Sequence, residues 1–385
     1  MSTLKVNKIE NTSTTDGGIE IDSDGHVQLD GAQLPSAGPL SNRNIVINGA
    51  MQVAQRGTQA TGVTGDDYRT CDRFRCVISS LGTWTIDQST DAPEGFSSSL
   101  KLTCTTAATP SGSDLAIIHH RIEGHNLQQL KFGTANALSL TVSFWVKSNK
   151  TGDASFGMYQ PDSSTRNVNN SYTINTANTW EYKTLTFAGD ASGGINNDNG
   201  DGLVIEWWLN SGSDLIDTHQ TTWNTYSEVS RNSSNLGVGG AVNDNFAITG
   251  VQLEVGDMAT PFEHRSYGDE LAKCQRYYYR WKSTQNSDVV CDMNCWGTNM
   301  ALGQLVLPTS MRAVPDLSVS VLSDFIFSVN SNDLALTGIS RNRATTESVQ
   351  IYASGSGWSG LSAGDGGFLR DDQEHPSFME FEAEL

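Results

Sequence analysis

Two strand-like stretches of the sequence each carry a tryptophan on their polar side. In LVIEWWL, the apolar residues alternate so that Trp208 and Glu206 share the opposite face. In TVSFWVK, the same alternation leaves Trp145 with Lys147. A flat aromatic face beside polar groups suits the binding of a sugar ring. We hypothesise that both tryptophans lie on one open sheet face and bind glycan. The alternative is that they pack beneath a loop or in a subunit interface.

The loop INNDNGDGL has Asn and Asp at alternate positions before glycine, which is the spacing of part of a calcium loop. Asp198 and Asp201 are the side chains that would bind the metal. A full calcium loop needs a glutamate at its twelfth ligand position, and Trp208 stands there when the count begins at Asn197. A hydrated turn explains the stretch better. We therefore expect no cofactor and keep Ca²⁺ as the alternative.

The motifs and the net charge of the sequence argue against several other classes of function. The sequence contains no HExxH, no GxSxG and no phosphate-binding glycine loop, so we expect no enzymatic activity. The 43 acidic and 24 basic residues leave a net charge of −19, which repels nucleic acid and anionic lipid. We expect neither nucleic-acid binding nor membrane insertion. Six cysteines without a CxxC pair are expected to be reduced and packed.

The elements that position these residues are predicted to be strands. Charged residues make up only 17% of the chain, and Gly, Ser, Thr and Asn are abundant, which favours short strands and turns. Many short strands between residues 44 and 262 predict a β-sandwich or jelly roll. In FAITGVQLEV, Ile248 and Val251 lie on opposite parities. A β-bulge near Gly250 would restore one continuous buried face.

Residues 1–40 precede this region and have a pattern of their own. Ile19 and Ile21 alternate with acids, a turn signal follows, and Val27 and Leu29 alternate with polar residues. This pattern predicts a β-hairpin. Because so small a piece cannot bury its apolar residues alone, we expect it to pair with copies of itself or with another protein. The stretch LPSAGPLSN is then predicted to be a linker.

A short helix and a second β region follow. Tyr267, Leu271 and Cys274 recur at helical spacing, whereas Tyr279 and Trp281 alternate as in a strand. In the final SFMEFEAEL, apolar residues alternate with glutamates, which predicts a terminal strand. The fold class is therefore all-β, in three predicted parts: an N-terminal β anchor and linker (1–40), a jelly-roll domain (41–265), and a helical joint with a smaller C-terminal β domain (266–385).

An ordered set of short segments gives the chain a resemblance to known proteins. It resembles bacteriophage tail-fibre and related virion-appendage proteins of a kind frequent in marine phages, over most of its length. Each segment alone is weak, whereas the ordered set is specific. The matching segments are MSTLKVNKIEN, NRNIVINGAMQVAQRGT leading to CDRF, HRIEGHNLQQLKFGTANALSLTVSFWVKSNKTG, TANTWEYKTLTFAGD, NDNGDGL, ITGVQLEVGDMATPFEHRSYGDELAKCQRYY, LPTSMRAVP and the terminal EAEL.

The resemblance implies a jelly roll similar to carbohydrate-binding modules and assembly as a homotrimer. It implies that the segment around Ile19, Ile21, Val27 and Leu29 docks to a tail protein or another virion adaptor. The implied role is non-catalytic attachment of the virion, assembled in the host cytoplasm, to a host surface glycan or receptor. Two alternatives are a fibre or capsid-decoration protein that binds only virion components, and a polysaccharide depolymerase, whose paired carboxylates a sequence cannot reveal.

Overall fold

The computed structural model describes residues 8–10, 18–21, 27–29, 32–33, 41–162, 165–217, 219–372 and 377–385. These residues form a nearly all-β structure, which confirms the predicted fold class. The chain divides into two compact units, Met1–Arg265 and Ser266–Leu385. Within the described ranges, no helix is long and apolar enough to cross a membrane.

The described residues of the N-terminal region form a small antiparallel sheet. Ile19 pairs with Leu29 and Ile21 pairs with Val27, which confirms the predicted hairpin. The side chains of Ile19, Ile21 and Val27 are exposed, so this sheet leaves apolar surface open. Residues 34–40 of the predicted linker lie outside the described residues. The strands, in the order in which they pair, are β1 (Lys8–Glu10), β2 (Gly18–Ile21), β3 (Val27–Leu29) and β4 (Ala32–Gln33).

The rest of the first unit is a jelly-roll β-sandwich. Its 3₁₀ helices span Gly124–Leu130, Ser213–Leu215 and Glu228–Ser230. Its strands are β5 (Gln59–Val63), β6 (Asp67–Tyr68), β7 (Phe74–Ser79), β8 (Thr83–Ser89), β9 (Ser99–Thr106), β10 (Leu115–Glu123), β11 (Leu140–Ser148), β12 (Gly152–Gln160), β13 (Arg166–Ile174), β14 (Glu181–Phe187), β15 (Asp201–Ser211), β16 (Asn224–Thr225) and β17 (Asn245–Val255).

The described strands of the sandwich form two antiparallel sheets. Sheet I has the order β16-β13-β12-β15-β10-β7-β6, and sheet II has the order β14-β11-β17-β9-β8-β5. The chain passes from sheet I to sheet II between β10 and β11, and returns between β11 and β12. Such repeated crossing between two sheets is the connectivity of a jelly roll.

Alternate residues of both sheets point inward and form one core. Phe144 of sheet II meets Trp207 of sheet I edge to face, with ring centroids 5.7 Å apart. Phe156 packs on Trp207 in the same way at 5.1 Å. Because side chains alternate across a strand, the neighbours of these core residues must point outward. The outward residues of the two sheets are therefore not needed for this core and can contact a ligand or another segment of the chain.

All six cysteines are buried and free, which confirms that they are packed thiols. Burial raises the pKa of the Cys76 thiol to about 12. The pKa of Cys71 is raised as well, by burial and by the neighbouring carboxylate of Asp72. These thiols therefore stay protonated and unreactive near neutral pH.

The second unit begins with helix α1 (Tyr267–Gln275). Ser266 caps it, since its hydroxyl accepts a hydrogen bond of 3.2 Å from the backbone N–H of Asp269. The predicted helix is thereby confirmed. A 3₁₀ helix spans Leu322–Asp324. The strands are β18 (Tyr278–Lys282), β19 (Val289–Cys295), β20 (Met300–Val306), β21 (Asp316–Val319), β22 (Phe325–Val329), β23 (Asn332–Ala335), β24 (Gly338–Ala344), β25 (Ser348–Ser354), β26 (Gly366–Asp371) and β27 (Phe378–Glu382).

The described strands of the second unit also form two antiparallel sheets. Sheet III has the order β18-β27-β21, and sheet IV has the order β23-β22-β26-β19-β20-β25-β24. Met379 and Phe381 of β27 are buried in the core of this unit. The predicted C-terminal strand is therefore confirmed, with its apolar face inward.

Candidate functional site

Trp208 lies on the outer face of sheet I, as the alternation of its strand predicts. Its side chain is nevertheless 0% exposed, because a polar segment of the chain crosses that face. We call this segment, residues 219–235, the strap. The guanidinium carbon of Arg231 in the strap lies 5.1 Å from the centroid of the Trp208 ring, which is a cation–π contact. Of the two roles considered for Trp208, glycan binding on an open face or packing beneath a loop, the structure shows the second.

Glu206 lies beside Trp208 and is buried with it. Arg231 donates to both carboxylate oxygens of Glu206, with Nε 3.3 Å from Oε2. His119 approaches from β10, and its Nε2 lies 2.9 Å from Oε1. Burial alone would raise the pKa of Glu206, but Arg231 and His119 together lower it to about 2. Glu206 is therefore an ionised structural group, and no open glycan site forms around it.

Hydrogen bonds hold the strap on sheet I. The side-chain amides of Asn167 and Asn169 on β13 donate to the carbonyl of Ser230, at 2.7 and 2.6 Å. A Cβ at position 157 would lie 3.1 Å from the carbonyl oxygen of Arg231. Gly157 thus permits the close approach of the strap to β12. Asn167, Asn169 and Glu206 thus have partners in the strap, so this face is part of the fold.

Trp145 lies on sheet II, and the two tryptophans therefore do not share a face. The prediction of one open face bearing both is wrong. Trp145 belongs to β11 and Trp208 to β15, and these strands lie in opposite sheets with their tryptophans directed away from the common core. Alternation along a strand shows which residues point outward, but it does not show to which of two packed sheets the strand belongs.

The outer face of sheet II carries aromatic side chains that stay accessible. Trp145 on β11 pairs in register with Tyr182 on the edge strand β14. Their ring centroids are 5.4 Å apart, and Tyr182 is 46% exposed. Trp180, half-buried, precedes Tyr182 at the same parity. We call these three residues the aromatic platform. Its rings provide an apolar surface on a sheet face that is otherwise polar.

An ion pair borders the aromatic platform. The ammonium group of Lys147 donates to Asp91, with Nζ 2.8 Å from Oδ2 and 3.1 Å from Oδ1. The indole N–H of Trp180 donates to the same Oδ1 at 3.1 Å. The hydrogen bond from Lys147 lowers the pKa of Asp91. A fixed carboxylate and a fixed ammonium group thus lie beside the rings, so the predicted pair of Trp145 and Lys147 belongs to one site.

A β-bulge shapes the centre of this face. The register of β11 against β17 shifts between Ser143 and Trp145, and Gly250 has a φ of +60°, which confirms the predicted bulge. A Cβ on Gly250 would lie 2.7 Å from Phe96 Cζ and 3.0 Å from Trp145 Cδ1. Glycine is therefore needed for its backbone conformation and for the close approach of both rings.

Sequence reasoning missed three members of this site: Asp91, Trp180 and Tyr182. For Tyr182 a signal existed, because EYKTLTF alternates and Leu185 is its inward residue. Trp180 follows the same parity just before the strand. Asp91 lies in the loop after β8, and nothing in the local sequence links it to Lys147. Its place follows from the tertiary fold alone.

The residues of the candidate calcium loop are engaged with the protein. Asp198 Oδ1 accepts a hydrogen bond of 2.9 Å from the N–H of Gly200. Asp201 is paired with Arg121. In the part of the chain that the structure describes, no group of three or more His, Cys, Asp or Glu side chains could hold a metal ion. Asp198 and Asp201 thus act as turn and ion-pair residues in this structure.

Comparisons with known proteins give low similarity throughout. No family model matches the chain, and no curated protein matches it. The enzymatically active domain of tailspike protein 4 of bacteriophage CBA120 aligns at 14% identity and TM-score 0.30, covering 55% of this chain and 21% of that one. A family 11 carbohydrate-binding module from Clostridium thermocellum, in complex with a mixed-linked tetrasaccharide, aligns at 9% identity and TM-score 0.28. It covers 53% of this chain and 99% of the module.

Superpositions of this quality do not transfer a function, so the chemistry must come from the site itself. The aromatic platform offers flat apolar rings, and Asp91 and Lys147 offer an acceptor and a donor at its border. Asp91 is held as a carboxylate, because the pKa of its carboxyl is lowered. It therefore lacks the raised pKa that a general acid needs. The arrangement is suited to binding a ligand that has both apolar faces and hydroxyl groups.

Proposed function

We propose that this protein is a bacteriophage tail-fibre protein that attaches the virion to its host by binding surface glycan at the aromatic platform. One observation carries the proposal: Trp145, Trp180 and Tyr182 lie together on the outer face of sheet II beside the Asp91–Lys147 ion pair, and Tyr182 is 46% exposed. The proposal is supported by the contrast with sheet I, where the strap buries the corresponding tryptophan.

A saccharide matches this surface in two ways. The C–H groups on one side of a sugar ring form an apolar face that packs on aromatic rings. Its hydroxyl groups can donate to Asp91 and accept from Lys147, and charge-assisted hydrogen bonds of this kind are the stronger ones. Thr184 and Thr186 continue the exposed parity of β14 and add hydroxyl groups along the face.

The proposed assembly is a homotrimer anchored through the N-terminal segment. Exposed Ile19, Ile21 and Val27 provide an apolar surface that a tail protein or other virion adaptor would cover. A single glycan contact over a few rings is weak, but several linked copies bind together with much higher avidity. The proposed location is the virion, and no enzymatic step is part of the function.

A non-catalytic role agrees with the state of the carboxylates on the sandwich. The pKa of Glu206 is about 2, and the pKa of Asp91 is lowered by its hydrogen bond from Lys147. A polysaccharide depolymerase needs one carboxyl group that remains protonated to donate to the leaving group. Neither of these two residues meets that requirement.

A structural fibre or decoration protein is the second candidate, and the exposed isoleucines of the N-terminal sheet favour it. Such a protein would bind only virion components. The aromatic platform would then contact another virion subunit instead of a saccharide. The two candidates differ in whether the isolated protein binds cells.

The test is binding of the purified full-length protein to cells of the parent phage's host, before and after mild periodate oxidation of the cells. Periodate cleaves vicinal diols, so we expect oxidation to abolish binding. Trp145→Ala and Tyr182→Ala should each weaken binding by about tenfold or more. Tyr267→Ala, which removes an exposed aromatic residue from α1, is the matched control and should bind normally.

Each outcome decides between the candidates. Saturable binding that depends on periodate-sensitive groups and on Trp145 supports glycan attachment. Binding that survives periodate oxidation but still requires the aromatic platform would overturn the proposal of a glycan ligand and indicate another kind of receptor. No binding by a folded protein would favour the structural candidate. Release of reducing sugar ends from host polysaccharide would instead establish a depolymerase.

A further inference from the structure

Sheet IV of the second unit has a groove on the face that points away from its core. Trp296, in the turn between β19 and β20, is 72% exposed at one end of it. Its indole offers a large accessible ring face with an N–H donor. The groove encloses about 390 Å³, within the range of small-molecule sites. Its lining residues are Trp296, Met300, Leu302, Asn342, Arg343, Gln350 and Tyr352.

The strand register explains why these residues meet. Leu302 on β20 pairs with Tyr352 on β25, and Gln350 on β25 pairs with Arg343 on β24. The backbone N–H of Trp296 donates to the carbonyl of Met300 at 3.0 Å, which places the indole at the end of β20. The register of β24 shifts between Arg341 and Arg343, so Arg343 lies opposite Gln350, and an aromatic end and a polar end lie on a single face.

The polar end of the groove combines a planar amide pair with a cation. The side-chain amide of Asn342 donates to Gln350 Oε1 at 2.6 Å, so the two amides hold each other in place. Arg343 is exposed beside them. Among the described residues, no carboxylate pairs with Arg343. The guanidinium of Arg343 is therefore available to a ligand, although the chain as a whole has 43 acidic residues and a net charge of −19.

We propose that this groove is a second binding site, specific for a saccharide that carries a carboxylate or sulfate group. The rings of Trp296 and Tyr352 would pack on the apolar faces of sugar rings, with Leu302 as the floor between them. Asn342 and Gln350 would bond to hydroxyl groups. Arg343 would bind the anionic group with two parallel hydrogen bonds, the geometry for which a guanidinium is suited.

The surroundings favour a small hydroxylated ligand over a protein partner. A stable protein interface usually buries more than about 1,000 Å² and has a core depleted in serine. Here Ser340, Ser348 and Ser354 occupy outward positions on β24 and β25 around the groove. Gln304 on β20 adds a further amide and donates to Ser348 Oγ at 3.0 Å. The surface beside the groove on β24 and β25 is thus largely hydroxylated.

This site differs from the aromatic platform in charge and in position along the chain. The platform has Asp91 and Lys147 as a neutralised pair, whereas the groove has an unpaired cation. We therefore expect the platform to tolerate neutral glycans and the groove to require an acidic one. The inference stands without the proposed function, because it rests only on residues of the second unit.

The experiment screens the full-length protein against immobilised acidic oligosaccharides, each beside a neutral counterpart of the same backbone. The set includes oligogalacturonate with its methyl ester, sialyllactose with lactose, and a sulfated galactan with its desulfated form. The best acidic probe is then titrated by calorimetry at two salt concentrations. We expect acidic members to bind more tightly than their neutral counterparts, with affinity that falls as salt is raised.

Variants assign the binding to the groove. Arg343→Gln should weaken binding of the acidic probe by about tenfold, and Arg343→Lys should restore only part of it. Trp296→Ala should also abolish binding. Lys282→Gln makes the same charge change at an exposed position of sheet III and should have no effect. Trp145→Ala, on the platform, should leave the acidic probe bound, so failure of one site can be told from failure of the other.

Three results would overturn the proposal. One is that no acidic member binds more tightly than its neutral counterpart. The second is that Arg343→Gln and Lys282→Gln weaken binding equally, which would indicate a general charge effect. The third is that Trp296→Ala lowers the oligomeric state measured by sedimentation velocity, because the groove would then be an interface between copies of the chain.

Discussion

The outer faces of sheets I and II place a tryptophan in the same way, but only the tryptophan of sheet II keeps part of its side chain exposed. On sheet I, the strap covers Trp208, and Arg231 joins it to buried Glu206. On sheet II, the outward residues Ser143 and Gln252 are buried as well, whereas Trp145 contacts Tyr182 of the edge strand and stays half-buried. The strands are equivalent in pattern, so the difference comes from the strap, which lies outside both strands.

This contrast shows that the same local pattern can serve folding or binding. A charged residue beside an outward tryptophan is solvated on an open face and needs a partner on a closed one. Glu206 has its partners in Arg231 and His119, and its pKa is lowered to about 2. Asp91, which borders the aromatic platform, has the ammonium group of Lys147 as its partner, and its side chain stays 45% exposed. The type of partner therefore distinguishes a structural carboxylate from one that is available to a ligand.

The largest expected difference between the two faces is in stability. Trp208→Ala should lower the free energy of unfolding of the sandwich by about 3–5 kcal/mol, because it leaves a cavity beneath the strap and removes the contact with Arg231. Trp145→Ala should lower it by about 1 kcal/mol, since that side chain is only half-buried. Urea unfolding monitored by circular dichroism measures both. Equal losses would show that the two faces do not differ in packing.

The acid response of Glu206 sharpens the comparison. Its pKa is lowered from 4.5 to about 2 in the fold, so its ionised form adds stability above pH 4.5 that is lost as the pH falls toward 2. Glu206→Gln should lower the free energy of unfolding by about 3 kcal/mol at pH 7. Its deficit relative to the wild type should shrink steadily below pH 4.5, in urea titrations at several pH values.

Glu228→Gln is the matched control for this titration. Glu228 pairs with the same Arg231 at 2.8 Å, but it is 58% exposed. Its loss should change stability little, because an exposed ion pair is screened by solvent. A pH-independent deficit for Glu206→Gln would show that the carboxylate of Glu206 is not ionised in the fold.

Gly250→Ala should affect stability and binding together. The new Cβ meets Phe96 and Trp145 at a φ of +60°, so we expect a loss of about 1–2 kcal/mol. Displacement of the Trp145 ring should weaken cell binding several-fold. Gly240→Ala is the control, because its Cβ would meet only a carbonyl oxygen at 3.4 Å. Similar binding by both variants would remove the bulge from the site.

Asp91→Asn should have the smallest effect on stability. Its side chain is 45% exposed in the pair with Lys147, so we expect a loss of less than about 1 kcal/mol. Binding to host cells should still weaken, because the fixed carboxylate is lost. Asp66→Asn removes a carboxylate of similar exposure, which is paired with Arg75, and should bind normally. Unchanged binding by Asp91→Asn would place the ligand on the aromatic rings alone.

Side-chain parity is the part of this structure that could be predicted from the sequence. The hairpin of Ile19 and Val27, the bulge at Gly250 and the buried face of the last strand all follow from a period of two. These features depend on neighbours along the chain. The outward direction of Trp145 and Trp208 was predictable for the same reason.

Two features could not be predicted in this way: which segment covers a sheet face, and which residues from distant parts of the chain pair. The strap carries few apolar residues, and it binds sheet I through hydrogen bonds from Asn167 and Asn169 that no periodicity announces. Asp91 reaches Lys147 because β8, β9, β17 and β11 lie side by side in sheet II. Such contacts depend on strand order, which local alternation does not contain.

The two-residue period of sheet II also separates the residues that fold the protein from those that meet a ligand. Val142, Phe144 and Val146 fill the core, while the positions between them face outward. Among the outward positions, Thr141 and Ser143 are buried, whereas Tyr182 and Thr184 are exposed. A library randomised only at exposed positions of β14 would therefore vary ligand preference on a constant scaffold.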